Sequence, residues 1–128
     1  MLKIALLGIG NMGKNHLRIL SMLKGVEICS IFDVNESELK KLSAQYNVPY
    51  TLNMDEAIEG VDAVLIVTST STHFDYFSKC VGKVKNIFVE KPLATTYEDA
   101  CLMEELACKH QTFVQCGFIE RFNPVVSA

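Results

Sequence analysis

The sequence predicts an α/β fold, a doubly wound parallel sheet of six strands with helices on both faces. Short apolar runs rich in β-branched residues alternate with longer segments whose apolar residues recur at helical spacing. The run at residues 61–67 is apolar apart from one Asp, as expected of a strand buried on both faces. Strands separated by helices require right-handed crossovers, which make neighbouring strands parallel.

The predicted elements alternate along the chain and end near residue 117. The strands are expected at residues 2–7, 26–32, 48–52, 61–67, 86–90 and 112–116. The helices are expected at residues 11–23, 35–46, 53–58, 72–81 and 95–109. Two helix starts carry a capping signature, Asn35 followed by Glu38 and Thr95 followed by Glu98. Gly25 is the predicted C-cap of the first helix.

The composition favours one soluble globular domain and excludes several partners. Of 128 residues, 49% are hydrophobic and 21% charged, which excludes intrinsic disorder. A net charge of -3 without basic clusters indicates no nucleic-acid partner and no anionic membrane surface. No apolar run reaches the ~18 residues that cross a bilayer. Five cysteines without a Cys-x-x-Cys pair favour reduced thiols and a cytoplasmic location.

The hexapeptide GIGNMG follows the first strand and opens the first helix. A G-x-G-x-x-G pattern is weak alone, but this context is that of a dinucleotide-binding loop. Gly8 permits the tight turn, Gly10 lets the backbone approach a pyrophosphate, and Gly13 allows the helix to pack closely on the strand. Backbone N–H groups at the helix start, at Asn11 and Met12, would then bind the phosphates with help from the helix dipole.

Asp33 ends the second strand, about 20 residues beyond the glycine loop, where dinucleotide-binding folds bind the adenine ribose. Its carboxylate would accept hydrogen bonds from the ribose hydroxyls and repel a 2′-phosphate. Val34 and Asn35 supply no cation that could receive such a phosphate. The cofactor is therefore predicted to be NAD rather than NADP. The structural alternative is a glycine turn and a strand-ending Asp that bind no ligand.

Polar residues follow the fourth strand, at the edge of the sheet where ligands bind. Thr68 and Ser69 are candidate contacts of the cofactor ribose or pyrophosphate, whereas Ser71 or Thr72 can instead cap the next helix. His73 is a candidate cofactor or substrate contact. An exposed histidine without a chemical role is the favoured interpretation of that position.

Glu90, Lys91 and Pro92 end the fifth strand. The spacing alone favours a polar strand exit that proline terminates. In the functional alternative, Lys91 lies beside the nicotinamide and binds the substrate hydroxyl or shares its proton during hydride transfer. Glu90 would be the neighbouring carboxylate that tunes this lysine and lines the cofactor site. The tripeptide alone leaves both alternatives open.

The ordered set GIGNMG, Asp33, VDAVLIVTSTSTH, VEKPLA and GFIERFNP covers essentially the whole chain. The set resembles the oxidoreductase family named after glucose–fructose oxidoreductase, inositol dehydrogenase and the rhizopine-catabolism protein MocA. The resemblance implies an N-terminal NAD(P)-binding Rossmann domain with six parallel strands. It also implies a catalytic role in hydride transfer for the lysine of the Glu-Lys-Pro motif, here Lys91.

Two features depart from the family pattern. Ser69 stands where members commonly have proline, and members continue into a second domain that binds the substrate. Residues 1–117 are therefore expected to form the NAD-binding domain. Residues 118–128 are expected to start the crossing to the second domain, without a partner element of their own. The sequence of residues 119–124 is similar to that of members acting on nucleotide sugars.

The resemblance implies the cofactor-binding part of an NAD-dependent dehydrogenase acting on a sugar, nucleotide sugar or cyclitol. The alternative is a standalone nucleotide-binding or interaction module without turnover. A methyltransferase with a related sheet explains neither the spacing of the glycine loop nor the Glu-Lys-Pro strand exit. A surface that a second domain would cover predicts self-association into a homo-oligomer.

Overall fold

The computed structural model describes residues 1–91, 93–116 and 120–122. Within these ranges the strands are β1 (Leu2–Leu7), β2 (Val26–Phe32), β3 (Tyr50–Thr51), β4 (Ala63–Ile66), β5 (Asn86–Val89), β6 (Phe113–Cys116) and β7 (Glu120–Phe122). The helices are α1 (Asn11–Ser21), α2 (Glu36–Tyr46), α3 (Met54–Ile58), α4 (Thr70–Cys80) and α5 (Tyr97–His110). None of these helices is long and apolar enough to cross a bilayer.

The strands form one sheet in the order β3-β2-β1-β4-β5-β6-β7. Strands β1 to β6 are mutually parallel, which confirms the predicted six-stranded doubly wound sheet. Strand order reverses between β1 and β4, which are hydrogen-bonded neighbours. The chain leaves β1 and β4 toward opposite faces of the sheet, so a crevice is expected beyond their carboxyl ends.

Strand β7 corrects the expectation that residues 118–128 lack a partner element. Residues 120–122 pair antiparallel with β6, Cys116 lying opposite Glu120 and Val114 opposite Phe122. Without β7, β6 would be an edge strand with unpaired backbone groups, and a short returning strand satisfies them. Residues 117–119 and 123–128 lie outside the described residues, and the predicted domain boundary at residue 117 stays a prediction.

Two hydrophobic clusters cover the two faces of the sheet. Consecutive residues of β1 alternate between them, because Leu6 packs in one cluster and Ala5 and Leu7 pack in the other. The cluster that contains Leu6 also includes Leu17 of α1 and Leu39 of α2. The cluster that contains Ala5 and Leu7 is covered by α3, α4 and α5. Because both faces are buried, the central strands carry continuous apolar runs instead of alternating ones.

Several predicted helix boundaries shift by one turn or less. Helix α1 ends at Ser21 with Met22 as its C-cap, so the predicted C-cap at Gly25 is wrong. Helix α4 begins at Thr70, two residues before the predicted start. Helix α5 is capped by Thr96, whose Oγ1 accepts the Asp99 N–H at 3.1 Å, and the predicted cap at Thr95 is wrong by one residue. Because α5 begins at Tyr97, Thr96 is the residue in the N-cap position and Asp99 supplies the N–H of the third helical residue. The predicted capping role of Asn35 in α2 is confirmed.

Candidate cofactor-binding site

A cleft of about 300 Å³ opens beyond the carboxyl ends of β1, β2 and β4. Its lining consists of Gly8, Gly10, Phe32, Asp33, Val34, Val67, Thr68, Ser69, Thr72 and Tyr76. The sequence-predicted candidates Gly8, Gly10, Asp33, Thr68 and Ser69 are therefore brought together by the fold. The other five residues of the lining were not among the predicted contacts.

Each glycine of the loop occupies a position with a different steric demand. Gly8 has φ +104°, and a Cβ there would lie 2.7 Å from the Val67 carbonyl carbon and oxygen. A Cβ on Gly13 would overlap the carbonyl oxygen of Gly8, so the start of α1 packs directly on the loop. At Gly10, by contrast, no atom lies within 4 Å of the position a Cβ would take. The backbone is therefore open to a ligand at Gly10 and closed by protein at Gly8 and Gly13.

The first turn of α1 begins directly after the cleft residue Gly10, although the predicted contacts Asn11, Met12 and Gly13 are not in the cleft lining. The first bond of its hydrogen-bond ladder runs from the Lys14 N–H to the Gly10 carbonyl at 2.8 Å. The N–H groups of Asn11 and Met12 precede that bond, and a helix leaves such groups without an intrahelical acceptor. No side chain in the described ranges caps this helix, and its first turn contains no acidic residue. This arrangement suits an anion such as a pyrophosphate.

Asp33 joins the glycine loop to the end of β2. Its Oδ2 accepts the Ile9 N–H at 2.9 Å, and its Oδ1 accepts the N–H groups of Val34 at 2.6 Å and Asn35 at 3.0 Å. A carboxylate offers about four lone-pair positions. Oδ2 therefore keeps one acceptor position, which is the position that a ribose hydroxyl would need.

Phe32 and Tyr76 form an aromatic wall of the cleft that sequence reasoning missed. Their rings meet edge to face, with centroids 5.9 Å apart and planes at 86°. Burial raises the pKa of the Tyr76 hydroxyl, and the carboxylates of Asp33 and Asp75 raise it further. Helical spacing is the sequence signal that could have identified Tyr76. It lies four residues after Thr72 and therefore on the same face of α4, and both residues line the cleft.

The hydroxyls that follow β4 are arranged differently from the expected helix cap. Ser69 occupies the N-cap position of α4, but its side chain makes no capping bond. Its Oγ lies 3.4 Å from Ser71 Oγ. Thr72 Oγ1 lies 2.6 Å from Thr68 Oγ1 and 2.7 Å from the Ser69 carbonyl oxygen. The alternative that Ser71 or Thr72 caps the helix is wrong, because α4 begins before both residues.

The structure corrects the favoured interpretation of His73 as an exposed residue. Only 1% of its surface is accessible, and its ring lies between two backbone carbonyls. Nε2 lies 3.0 Å from the Thr68 oxygen, and Nδ1 lies 3.2 Å from the Leu93 oxygen. Because α4 starts at Thr70, His73 shares the inward face of the helix with Phe77 and Cys80. His73 does not line the cleft.

Glu90 and Lys91 follow β5, two strands from β1 along the same carboxyl edge of the sheet. Neither residue lines the cleft. Glu90 Oε2 lies 2.9 Å from the Nε2 of His16 on α1, and its Oε1 accepts the Lys91 backbone N–H at 3.3 Å. The Lys91 side chain is exposed. Pro92 lies outside the described residues.

His16 is a contact of this segment that sequence reasoning missed. It occupies an apolar position of the amphipathic first helix and is 6% exposed. Its ring packs against the edge of Phe88 on β5, with centroids 5.6 Å apart. The sequence signal that could have identified His16 is a polar ring on the apolar face of a helix that immediately follows a glycine loop.

The glycine loop, the open helix start and the acceptor at the end of β2 together define a dinucleotide-binding Rossmann domain. Residues 2–118 match the family described as the Gfo/Idh/MocA "Oxidoreductase family, NAD-binding Rossmann fold". The chain therefore belongs to this family and contains its NAD-binding domain.

Curated relatives and solved structures agree with this assignment. The chain is 32% identical over 127 residues to an inositol 2-dehydrogenase of Acidothermus cellulolyticus, covering 95% of this chain and 37% of that protein. It is 31% identical over 129 residues to the scyllo-inositol 2-dehydrogenase (NAD(+)) of Bacillus subtilis, with the same shares covered. A probable dehydrogenase from Thermotoga maritima superposes with a TM-score of 0.84 at 32% identity, covering 91% of this chain and 36% of that one. The chain thus spans little more than a third of the length of these relatives.

Proposed function

We propose that this chain is the cofactor-binding part of an NAD-dependent dehydrogenase that acts on a hydroxyl of a sugar, nucleotide sugar or cyclitol. One observation carries the proposal. The open Gly10 backbone, the free acceptor position on Asp33 and the exposed Lys91 lie along one edge of a single sheet. Relatives that are 31–32% identical are named inositol dehydrogenases, which supports the substrate class.

The residues at the cleft fit a dinucleotide. The N–H groups of Asn11 and Met12 would bind the pyrophosphate above Gly10, and Asp33 Oδ2 would accept from the adenine ribose. Thr68 and Ser69 would supply hydroxyls to the ribose or pyrophosphate. When bound, the nicotinamide supplies hydride-transfer chemistry. Asp33 favours NAD over NADP because its carboxylate repels a 2′-phosphate, and the adjacent Val34 is 82% exposed and uncharged.

Lys91 is the proposed catalytic residue of this chain. Its ammonium can donate a hydrogen bond to the substrate hydroxyl oxygen, and its neutral amine can take the hydroxyl proton. Both carboxylate oxygens of Glu90 already have partners, His16 Nε2 and the Lys91 backbone N–H. We therefore assign Glu90 to holding the backbone of Lys91 rather than to direct contact with the cofactor.

We also propose a cytoplasmic location and a homo-oligomeric state for this protein. The five cysteines all lie in the described residues and no disulfide joins any two of them, which supports a cytoplasmic location. The end of α1 exposes the apolar side chain of Ile19, and Met22 just after the helix is also exposed, which supports a homo-oligomer. Light scattering at increasing concentration checks the assembly, and a monomer throughout would contradict it.

Calorimetric titration of the chain with NAD and NADP tests the cofactor assignment. We expect NAD to bind more tightly, and Asp33→Ala to weaken NAD while narrowing its advantage over NADP. Asp75→Ala is the matched control, because Asp75 is an exposed carboxylate close to Tyr76 but outside the cleft lining. Equal NAD affinity in the Asp33 variant would show that the ribose assignment is wrong.

Turnover requires the substrate domain, so Lys91 is tested in the chain joined to the remaining part of the Acidothermus relative. Lys91→Ala should lower the rate of cyclitol oxidation by about 100-fold or more, since acid–base groups contribute on that scale. NAD affinity should stay within about threefold because Lys91 lies outside the cleft lining. Lys85→Ala, an exposed lysine just before β5, is the control. A normal rate in the Lys91 variant removes it from the mechanism.

A further inference from the structure

Two buried histidines contact the short segment that carries Lys91, one on each side of the lysine. His16 contacts Glu90, the residue before Lys91, and His73 contacts Leu93, two residues after it. We propose that His16 and His73, here called the histidine clamp, are positioning residues that fix Lys91 relative to the cofactor cleft. The proposal deepens the proposed function and rests on the role given to Lys91.

The His16 side of the clamp connects the phosphate-binding helix to the end of β5. His16 lies three residues beyond Gly13, and its Nε2–H donates to Glu90 Oε2 at 2.9 Å. The other oxygen of that carboxylate accepts the Lys91 N–H. The contact therefore runs from α1 through Glu90 to the Lys91 backbone. Because a carboxylate acceptor makes the bond charge-assisted, it is stronger than an ordinary side-chain contact.

The His73 side connects the end of β4 to the residues beyond Lys91. Carbonyl oxygens can only accept and a neutral imidazole carries one N–H, so the ring donates to Thr68 or to Leu93 according to its tautomer, and its other nitrogen lies against the second carbonyl. Thr68 lines the cleft, whereas Leu93 follows the lysine. The buried ring thus joins a cofactor-facing loop to the Lys91 segment.

The two helices that supply the clamp are also the two whose starts face the cleft. Helix α1 begins at the glycine loop, and α4 begins beside Thr68 and Ser69. A ligand that settles on those helix starts is therefore placed against a framework to which Lys91 is already attached on both sides. Catalytic groups must be held within fractions of an ångström, and locked supporting side chains provide that precision.

Backbone order parameters measured by ¹⁵N relaxation on the 128-residue chain test the clamp directly. We expect values near about 0.85 at Lys91 and Leu93 in the parent chain, as for rigid backbone. His16→Leu should lower the Lys91 value, and His73→Phe the Leu93 value, toward about 0.6, the range of flexible backbone. Strand residues such as Ile31 should keep their values. His110→Gln, in the exposed third histidine, is the matched control and should change neither segment.

A double-variant cycle separates the clamp from simple core filling. His16→Leu and Glu90→Met should each loosen Lys91, and the double variant should be no looser than either single one, because both remove one contact. Additive loosening would overturn the proposal. So would a lowered melting temperature with unchanged order at Lys91 and Leu93. His16→Gln keeps a donor and should restore part of the order, which covers the case in which His16→Leu does not fold.

A rate comparison tells failure of the clamp from failure of the proposed function. The clamp variants should leave the affinities for NAD and ADP-ribose within about threefold, as Lys91→Ala does, because neither histidine lines the cleft. In the chain joined to the remaining part of the Acidothermus relative, they should lower the rate of cyclitol oxidation by about tenfold to 100-fold, because Lys91 is displaced from the reacting groups. If order falls at Lys91 while the rate is unchanged, the clamp stands and the catalytic assignment of Lys91 fails. If order is unchanged, the clamp itself is wrong.

Discussion

The helices of this domain begin in two chemically different ways. Helices α2, α3 and α5 are capped by the side chains of Asn35, Asn53 and Thr96, and each has two acidic residues in its first turn. Helices α1 and α4 have neither a side-chain cap nor a first-turn acid within the described structure. All five begin at the same edge of the sheet, because each follows a parallel strand.

We interpret the difference as one between helix starts that stabilise the fold and helix starts that are proposed to receive a ligand. A cap and a first-turn carboxylate satisfy the exposed N–H groups and the positive end of the helix dipole. The same groups would obstruct and repel a pyrophosphate. Helices α1 and α4 follow the neighbouring strands β1 and β4, and their uncapped starts are the ones proposed to receive an external anion. Each of the following predictions alters a helix start of one kind or the other, and they run from the largest expected effect to the smallest.

Gly13→Ala should have the largest effect, because the new methyl group would overlap the Gly8 carbonyl. Overpacking of this kind destabilises a protein by about 1–3 kcal/mol. The displaced helix start should also weaken NAD by about 100-fold, equivalent to about 2.7 kcal/mol. Chemical denaturation and calorimetric titration measure the two effects, and unchanged NAD affinity would show that the helix start does not bind the phosphates.

Gly10→Ala should change stability and cofactor binding in opposite directions. Gly10 has φ -66° and no atom within 4 Å of a Cβ, so alanine fits the folded backbone. It should raise the free energy of unfolding by about 0.4–1 kcal/mol through the unfolded state. NAD affinity should nevertheless fall about tenfold (about 1.4 kcal/mol), because the methyl group occupies the approach to the backbone. Parallel losses of stability and binding would contradict the open-backbone assignment.

Met12→Glu gives α1 the first-turn acid that the capped helices possess. The carboxylate should stabilise the helix by about 0.3–1 kcal/mol through the helix dipole. NAD should bind about fivefold to tenfold more weakly at low salt and recover partly as salt screens the charge. Met12→Gln, of the same length without charge, is the control. A loss of equal size in the glutamine variant would assign the effect to shape rather than to charge.

Thr96→Ala removes the cap of α5, which begins away from the cleft. It should lower the free energy of unfolding by about 1 kcal/mol and leave NAD affinity unchanged. Thr95→Ala tests the neighbouring hydroxyl and should change neither quantity, because Thr96 makes the capping bond. Thermal or denaturant unfolding measures both variants. A larger loss of unfolding free energy in the Thr95 variant would show that Thr95 caps the helix, as the sequence signature predicted.

The sequence predicted whatever depends on short-range chemistry. The glycine spacing, the strand that precedes it and the acid about 20 residues later are local signals, and each has a steric or electrostatic meaning. The strand and helix order followed from apolar periodicity. Boundaries were less accurate, as at Thr95 and Thr96, because adjacent threonines offer the same capping chemistry.

Contacts between distant residues could not be predicted in this way. His16 and Glu90 are 74 residues apart, and His73 and Leu93 are 20 apart. Nothing in the local pattern of either histidine names its partner. The aromatic wall was missed for the same reason, since Phe32 ends a strand and Tyr76 lies on a helix two strands further along the chain. β7 required knowledge that β6 would otherwise be an exposed edge.

The bonds that Asp33 makes with the backbone have a consequence for how this domain could change its cofactor. A side chain already immobilised by three N–H donors avoids the loss of about 0.5–1.5 kcal/mol that ordering a side chain on association entails. The same bonds constrain redesign. Exchanging Asp33 for a cation to admit a 2′-phosphate would remove the acceptor of the Ile9 N–H and loosen the turn that is proposed to bind the pyrophosphate. A preference for NADP would therefore require a second substitution that restores an acceptor for the Ile9 N–H.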